Sequence, residues 1–188
     1  MRYSFIKRLG DILAVLTLFL VISPILLIIA LSIKFYDGGP IIFKQNRMGK
    51  DGAEFQFMKF RSMPVNTPNV VSTQTAVLKV TPIGKVIRRT NLDEIPQFIN
   101  VLKGDMSIIG PRPSLPSQTS LLEWRKRNGS INLRPGLTGW AQVNAYDYMP
   151  EEEKARLDGE YYQKFGFWMD LRIILGTIKY FTKKPPVY

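Results

Sequence analysis

Between Ile12 and Ile33 the chain runs for 22 residues without a charge, mostly Leu, Ile and Val, and a Ser-Pro pair sits at the centre of that run. As an α-helix the run would measure about 33 Å, enough for a hydrocarbon core of about 30 Å. Ser23-Pro24 complicates a plain span, because proline deletes one backbone donor and collides with the carbonyl a turn earlier. Each half reaches only about 15–17 Å, roughly half of that core. Basic residues flank both ends: Arg2, Lys7 and Arg8 before the run, Lys34, Lys44 and Lys50 after it. The positive-inside tendency would keep both flanks on the cytoplasmic side. Two topologies remain open, a helix that enters, breaks at Ser23-Pro24 and returns, and an ordinary span kinked at proline. A cleaved signal peptide fits less well, since its apolar region is about 7–15 residues. Either topology attaches the chain to a membrane.

Composition narrows the chemistry. The 188 residues include no His and no Cys. That removes Ser-His-Asp and Cys-His catalysis, disulfides, thiol redox chemistry and nearly every zinc site. A general acid or base must be Asp, Glu, Lys or Tyr, and a metal must sit on oxygen ligands. With 26 Lys and Arg against 15 Asp and Glu the net charge is +11. Such an excess favours polyanionic partners: anionic membrane lipids, phosphorylated substrates or nucleic acid. None of the nucleic-acid-binding signatures is present.

The remainder reads as mostly α with a small β-hairpin, residues 37–188 forming one domain behind a membrane element at 1–36. Asp37-Gly38-Gly39-Pro40 is a turn between the two. Segments 41–47 and 54–63 flank Gly49-Lys50-Asp51-Gly52 as a hairpin. Alternation puts Phe55, Phe57, Lys59 and Arg61 on one face of the second strand. The polar stretch 64–80 is a loop. Thr81-Pro82 opens a helix to about Arg89 by the cap-then-proline pattern. A helix over 92–103 would bury Ile95, Phe98, Ile99 and Leu102 and stop at Lys103-Gly104. Residues 109–113 form a rigid extended loop, a helix over about 117–128 carries Arg125, Lys126 and Arg127, and 134–143 is loop. Leu171, Ile174, Leu175, Ile178 and Phe181 make a helical stripe among basic residues. It suits an anionic membrane surface, or equally a helix packed on the core.

Chemistry centres on Asp93-Glu94. Helical neighbours point about 100° apart, so the carboxylates can take different roles. The plainer reading is a cap: Asn91 with Glu94 as a capping box, and Asp93 complementing the helix dipole. Context favours more. No acid occurs between residues 55 and 92, while the preceding helix delivers Arg88 and Arg89, and Arg112 stands between two prolines. A guanidinium on a pre-ordered loop loses little freedom on gripping a phosphate. Carboxylates among such arginines suit a phosphate-bearing substrate with Mg²⁺, which takes one or two protein carboxylates plus phosphate oxygens. Pairing of the arginines with Asp93, Glu94 and Asp105 is the plainer alternative.

KRLGD (7–11), the apolar run with Ser23-Pro24, KFRSM (59–63), LDEIPQFINVLKGDMSIIGPRP (92–113) and RPGLTGWAQVN (134–144) together resemble the small monotopic phosphoglycosyl transferases of the bacterial sugar transferase family. The resemblance covers nearly the whole chain, and the block from Leu92 to Pro113 is its most specific part. It implies a re-entrant helix-break-helix membrane segment and a compact cytoplasmic catalytic domain with amphipathic interfacial helices. The expected place is the cytoplasmic face of the bacterial inner membrane, in monotopic fashion. The implied reaction moves a sugar 1-phosphate from a nucleotide diphosphate sugar, usually a UDP-sugar, to polyprenyl (undecaprenyl) phosphate. UMP leaves, and the lipid product starts a glycoconjugate.

Carried over by position, Asp93 matches the nucleophile that becomes an acyl phosphate, and Glu94 its partner in the dyad. Arg88, Arg112 and Lys59 match basic groups around the phosphates, with Mg²⁺ as cofactor at Asp93. One departure stands out: after Val143-Asn144 the family often has Gly-Arg, where this chain has Ala145-Tyr146. A basic contact to the donor is expected to be absent or replaced. Larger relatives carry membrane spans ahead of this unit, which this chain is expected to lack. The rival class is a membrane-anchored basic binding or scaffold protein without turnover.

Overall fold

The computed structural model describes residues 2–65, 67, 80–146 and 149–181, so most of the expected loop at 64–80 lies outside the described residues. The apolar run folds as one helix, α1 (Arg2–Asp37), with Pro24 inside it. Two half-helices separated at Ser23-Pro24 are expected from sequence; helical structure instead runs through the pair. The cause is local. Pro24 cannot donate to the carbonyl of Leu20, and the Ser23 hydroxyl donates to that carbonyl at 2.9 Å in its place.

Along its length α1 turns one stripe to the rest of the molecule. Tyr3 donates to Asp170 Oδ2 at 2.6 Å, and Lys7 Nζ lies 2.8 Å from the same oxygen. Arg8 donates to the carbonyls of Val101 and Leu102. Asp11 accepts from the Ser107 hydroxyl. Further on, Val15, Ile29 and Ile33 are buried, with Phe19, Ile22, Leu26 and Ala30 packed beside them. Steps of three and four residues are those of a single helix face. The other faces are bare, with Phe5, Leu20, Val21, Ile28 and Phe35 exposed. By length and composition α1 could cross a membrane. Both of its ends nonetheless touch the same folded body.

The expected hairpin forms from β1 (Ile42–Met48) and β2 (Glu54–Phe60), antiparallel, with Gln45 opposite Phe57 and Arg47 opposite Phe55. β2 stops before Arg61, which is buried and donates Nε to the carbonyl of Pro40 at 2.6 Å. Helix α2 (Pro82–Arg89) is capped as the sequence suggests, Thr81 Oγ1 accepting from Gly84 N. The helix expected over 92–103 divides into a 3₁₀ turn, Leu92–Glu94, and α3 (Gln97–Lys103). Pro96 has no N–H for the Leu92 carbonyl, and Ile95 N takes that carbonyl instead at 3.3 Å.

Two short strands, β3 (Ser107–Ile109) and β4 (Gly136–Thr138), pair in parallel inside what read as loop. Here the chain needs glycine. A β-carbon on Gly110 would lie 2.2 Å from the Arg134 carbonyl oxygen, and one on Gly136 would lie 2.1 Å from Gly110 N. The two backbones cross too closely for side chains. The last helices are α4 (Thr119–Asn128), α5 (Trp140–Val143), α6 (Glu151–Gln163) and α7 (Phe167–Phe181). In α7, Met169, Asp170 and Ile173 turn inward, whereas Phe167, Trp168, Ile174, Leu175 and Ile178 remain exposed.

Helix α6 has no counterpart in the sequence reading, and it alters the reading of α4. Arg125 is not a member of a solvated basic run: it is 5% exposed, with Nε and Nη2 at 2.9 and 2.7 Å from Asp158 Oδ2 on α6. Removing one partner of such a buried pair leaves an uncompensated charge. Arg125→Met is therefore expected to cost about 3–5 kcal/mol in denaturant unfolding of the detergent-solubilised chain. Arg125→Met combined with Asp158→Leu is expected to recover most of that loss.

Candidate active site

The dyad sits on the 3₁₀ turn between α2 and α3. Asn91 before it adopts a left-handed conformation (φ 55°) and its side chain makes no cap bond, so the capping box does not form. Glu94 is thereby free to face the hairpin. Lys59, on β2, reaches both acids: its Nζ lies 2.5 Å from Glu94 Oε1 and 3.8 Å from Asp93 Oδ2. Arg112 Nη2, from the loop between β3 and α4, lies 3.4 Å from the same Glu94 oxygen. Arg88 on α2 donates Nε to the Ser62 hydroxyl at 2.8 Å, and its charge bears on Asp93. Five residues singled out in the sequence, Lys59, Arg88, Asp93, Glu94 and Arg112, thus belong to one site. Ser23 and Pro24 lie within α1 and take no part in it. Ala145 and Tyr146 follow α5 and are exposed.

Burial separates the two carboxylates. Asp93 is buried, and burial is the largest influence on it, raising its pKa above the ordinary 3.8. Lys59 opposes that rise, Glu94 adds to it, and Arg88 and the turn's own amide oppose it. Glu94 is also pushed up by burial, but Lys59 and Arg112 outweigh this and hold it at about 2. Neighbouring acids whose environments drive them apart are suited to different roles. Glu94 is a fixed anion that orients two cations. Asp93 Oδ1 accepts no side-chain hydrogen bond among the described residues.

Several contributors escape a reading of the sequence. Arg47 on β1 donates to Gln45 Oε1 and to the carbonyl of Pro113, and lies 5.4 Å from the centre of the Phe57 ring. Burial, and then the charge of Arg112, pull its pKa down to about 10, against the pull of Glu94. Odd-numbered residues of both strands share the face that carries Lys59, so period two contained this signal. Gln97 is 2% exposed, and its side-chain amide bears on Glu94, helping to hold that acid down. Asn100 is wholly buried, accepting from Met58 N and donating to Gln56 O and Asp105 Oδ2. No cluster of three or more metal-ligating side chains occurs among the described residues. Mg²⁺ held mainly through substrate phosphates needs only one or two protein carboxylates, and Asp93 fits that demand.

Paired carboxylates ringed by basic side chains thus stand on a body tied to a long apolar helix. The chain belongs to the bacterial sugar transferase family, whose model matches residues 2–184. It is similar to the UDP-glucose:undecaprenyl-phosphate glucose-1-phosphate transferase of Escherichia coli (strain K12), 41% identical over 184 residues, which cover 92% of this chain and 39% of that protein. It is similar also to the UDP-N-acetylgalactosamine-undecaprenyl-phosphate N-acetylgalactosaminephosphotransferase of Aeromonas hydrophila, 40% identical, covering 94% of this chain and 44% of that protein. The uncharacterized sugar transferase EpsL of Bacillus subtilis (strain 168) is 36% identical, covering 93% of this chain and 86% of its own length. The chain spans about two fifths of the first two relatives.

The raised pKa of Asp93 carries a stability sign. Its folded form holds a proton more tightly than the ordinary Asp value of 3.8, so ionising it as pH rises costs the folded state. Asp93→Asn is expected to unfold no earlier than the parent at neutral pH, and any gain to fade as pH falls toward 3.8. Thermal unfolding across pH checks this. A clear loss at neutral pH would mean that Asp93 is a structural group.

Proposed function

We propose that the chain transfers a sugar 1-phosphate from a UDP-sugar to polyprenyl phosphate, through a covalent phosphosugar on Asp93. The observation that carries the reading is the divergence of Asp93 and Glu94 around one lysine. Asp93 Oδ1 attacks the sugar-bearing phosphorus, and the bond from that phosphorus to the bridging oxygen breaks, releasing UMP. An oxygen of polyprenyl phosphate then attacks the same phosphorus and expels the Asp93 carboxylate. The product is polyprenyl-diphosphate-sugar, the first membrane-bound step of a glycoconjugate. Covalent relay divides one displacement between two anions into two easier steps. Lys59, Arg88 and Arg112 offset the charge that gathers on the phosphoryl oxygens. Mg²⁺, bound by Asp93 and substrate phosphates, would supply further charge neutralisation when present.

The membrane arrangement belongs to the same reading: α1, bending at Pro24 without losing its helical structure, enters one leaflet and returns, placing the body on the cytoplasmic face of the inner membrane. Attachment of Tyr3, Lys7 and Arg8 at one end, and of Ile29 and Ile33 at the other, supports it. The exposed apolar stripe of α7 favours the interfacial role for that helix over simple core packing. Shallow anchoring would bring lipid phosphate and soluble donor to one plane.

Three measurements test the proposal. Donor alone is expected to release UMP to about one equivalent of enzyme, with intact mass rising by one sugar phosphate, and Asp93→Asn to show neither. Absence of adduct together with intersecting double-reciprocal lines would reject the covalent route. Activity is expected to fall as Asp93 is protonated, and Lys59→Met to move that acid limb to higher pH, because Lys59 lowers the Asp93 pKa. Single cysteines at Ser4 and Tyr36, in a chain with none of its own, are both expected to react only with reagents that reach the cytoplasm. Labelling of Ser4→Cys from outside would establish a spanning helix.

A further inference from the structure

Away from the dyad, a cavity of about 130 Å³ opens between the start of α1, the hairpin turn and the segment leading to β4. Ser4, Lys7, Arg8, Asp11, Lys50 and Arg134 line it, together with the ring of Phe165. A single water needs only about 10–15 Å³ of such space, so a headgroup fits. Asp170 is ion-paired with Lys7, whereas Asp11 meets only neutral donors and leaves one carboxylate charge beside Arg8, Arg134 and Lys50. Asp170 accepts from Tyr3, Lys7 and Tyr161, and Asp11 from Ser107 and the Ile108 amide.

The arginines are not neutralised. Arg8 spends one bond from each terminal nitrogen on the Val101 and Leu102 carbonyls, and Arg134 spends only Nε, on the Gly104 carbonyl at 2.9 Å. The two guanidinium groups converge on Gly104, where a β-carbon would lie 3.6 Å from Arg8 Nη2. Neither forms an ion pair among the described residues, and each has N–H groups left over. Lys50 adds a third cation, paired only with Asp51 on the surface at 3.3 Å. Like charges gathered in one recess repel one another until an anion enters. A planar guanidinium with spare N–H groups matches phosphate geometry.

Position selects the kind of anion. The α1 turn that contributes Ser4 and Arg8 also presents bare Phe5, Ile6 and Leu9, and Phe165 leads directly into exposed Phe167 and Trp168. Apolar and aromatic side chains beside a basic recess mark the level where acyl chains meet headgroups. The dyad precedes the N-terminal end of α3, whereas Arg8 and Arg134 meet at its C-terminal end, so this is a second place for phosphate. We propose that the cavity binds the phosphodiester headgroup of an anionic phospholipid through Arg8, Arg134 and Lys50. The proposal does not depend on the catalytic reading.

The full chain in phosphatidylcholine nanodiscs containing a minor fraction of phosphatidylglycerol tests it, with native mass spectrometry counting the lipid retained on the protein. The parent is expected to keep one phosphatidylglycerol. Lys50→Glu and Ser4→Asp change exposed side chains and are expected to fold as the parent by circular dichroism, yet to retain at least tenfold less. Lys126→Glu, the same charge change on the exposed side of α4, is expected to behave as the parent. Equal retention in both cavity variants would overturn the site. So would an equal loss in Lys126→Glu, which would show only diffuse attraction. Inorganic phosphate occupying the site in place of the lipid would overturn the headgroup assignment.

Discussion

The amide of Asn100 has no exposed surface and is used entirely to join two elements. Its oxygen takes the Met58 N–H of β2, and its nitrogen serves the Gln56 carbonyl and Asp105. A buried amide left half-bonded costs about 1–3 kcal/mol, so the register of β2 against α3 is strongly fixed. Lys59 follows Met58 by one residue, and the dyad precedes α3 by a few. The distance between the lysine and the two acids is therefore set from underneath, by a side chain that never meets solvent. Val15, Phe57, Phe98, Val101 and Met106 close around this joint and exclude water from it. Without it, Lys59 would be one more mobile surface cation.

What the sequence revealed was mostly local. The hairpin turn, the Thr81 cap and the end of α3 at Gly104 depend on residues a few positions apart, and they stand where the pattern put them. The dyad and its basic residues were legible as a motif block, and the structure brings all five together. Features decided by distant partners were not. Strands β3 and β4 are three residues each, too short for a period, and exist because glycine lets two backbones touch. Arg125 reads as surface charge until Asp158, far along the chain, is known to face it. Gln97 and Asn100 are polar residues on the buried side of α3, where an apolar stripe is the natural expectation. The capping box failed because Asn91 takes a left-handed conformation and its side chain makes no cap bond.

Charge in this molecule is arranged by burial more than by number. An excess of +11 looks diffuse in the composition, yet the cations that matter stand at two ends of one short helix. At the first end, burial lifts Asp93 while Lys59 and Arg112 hold Glu94 down. At the second, the arginines lean on carbonyl oxygens, and the one carboxylate lining the recess, Asp11, is held by the Ser107 hydroxyl and the Ile108 amide. A lysine shared by two carboxylates and a guanidinium on a helix C-terminus are different devices. The same residue types supply both.

Helix α1 is long and apolar in the manner of an anchor, but Val15 is wholly buried and Ile29 and Ile33 nearly so, each inside a cluster shared with the hairpin or the helices. An anchor joined to its cargo by a linker can be cut away to leave a soluble remainder. This one cannot. Removing residues up to the hairpin would strip one wall from two hydrophobic clusters, deprive Asp170 of Tyr3 and Lys7, and take away the Asp11 carboxylate that accepts from Ser107. Lipid and protein therefore share a single folding problem, in which the bilayer covers the outer faces of a helix whose inner face is already core.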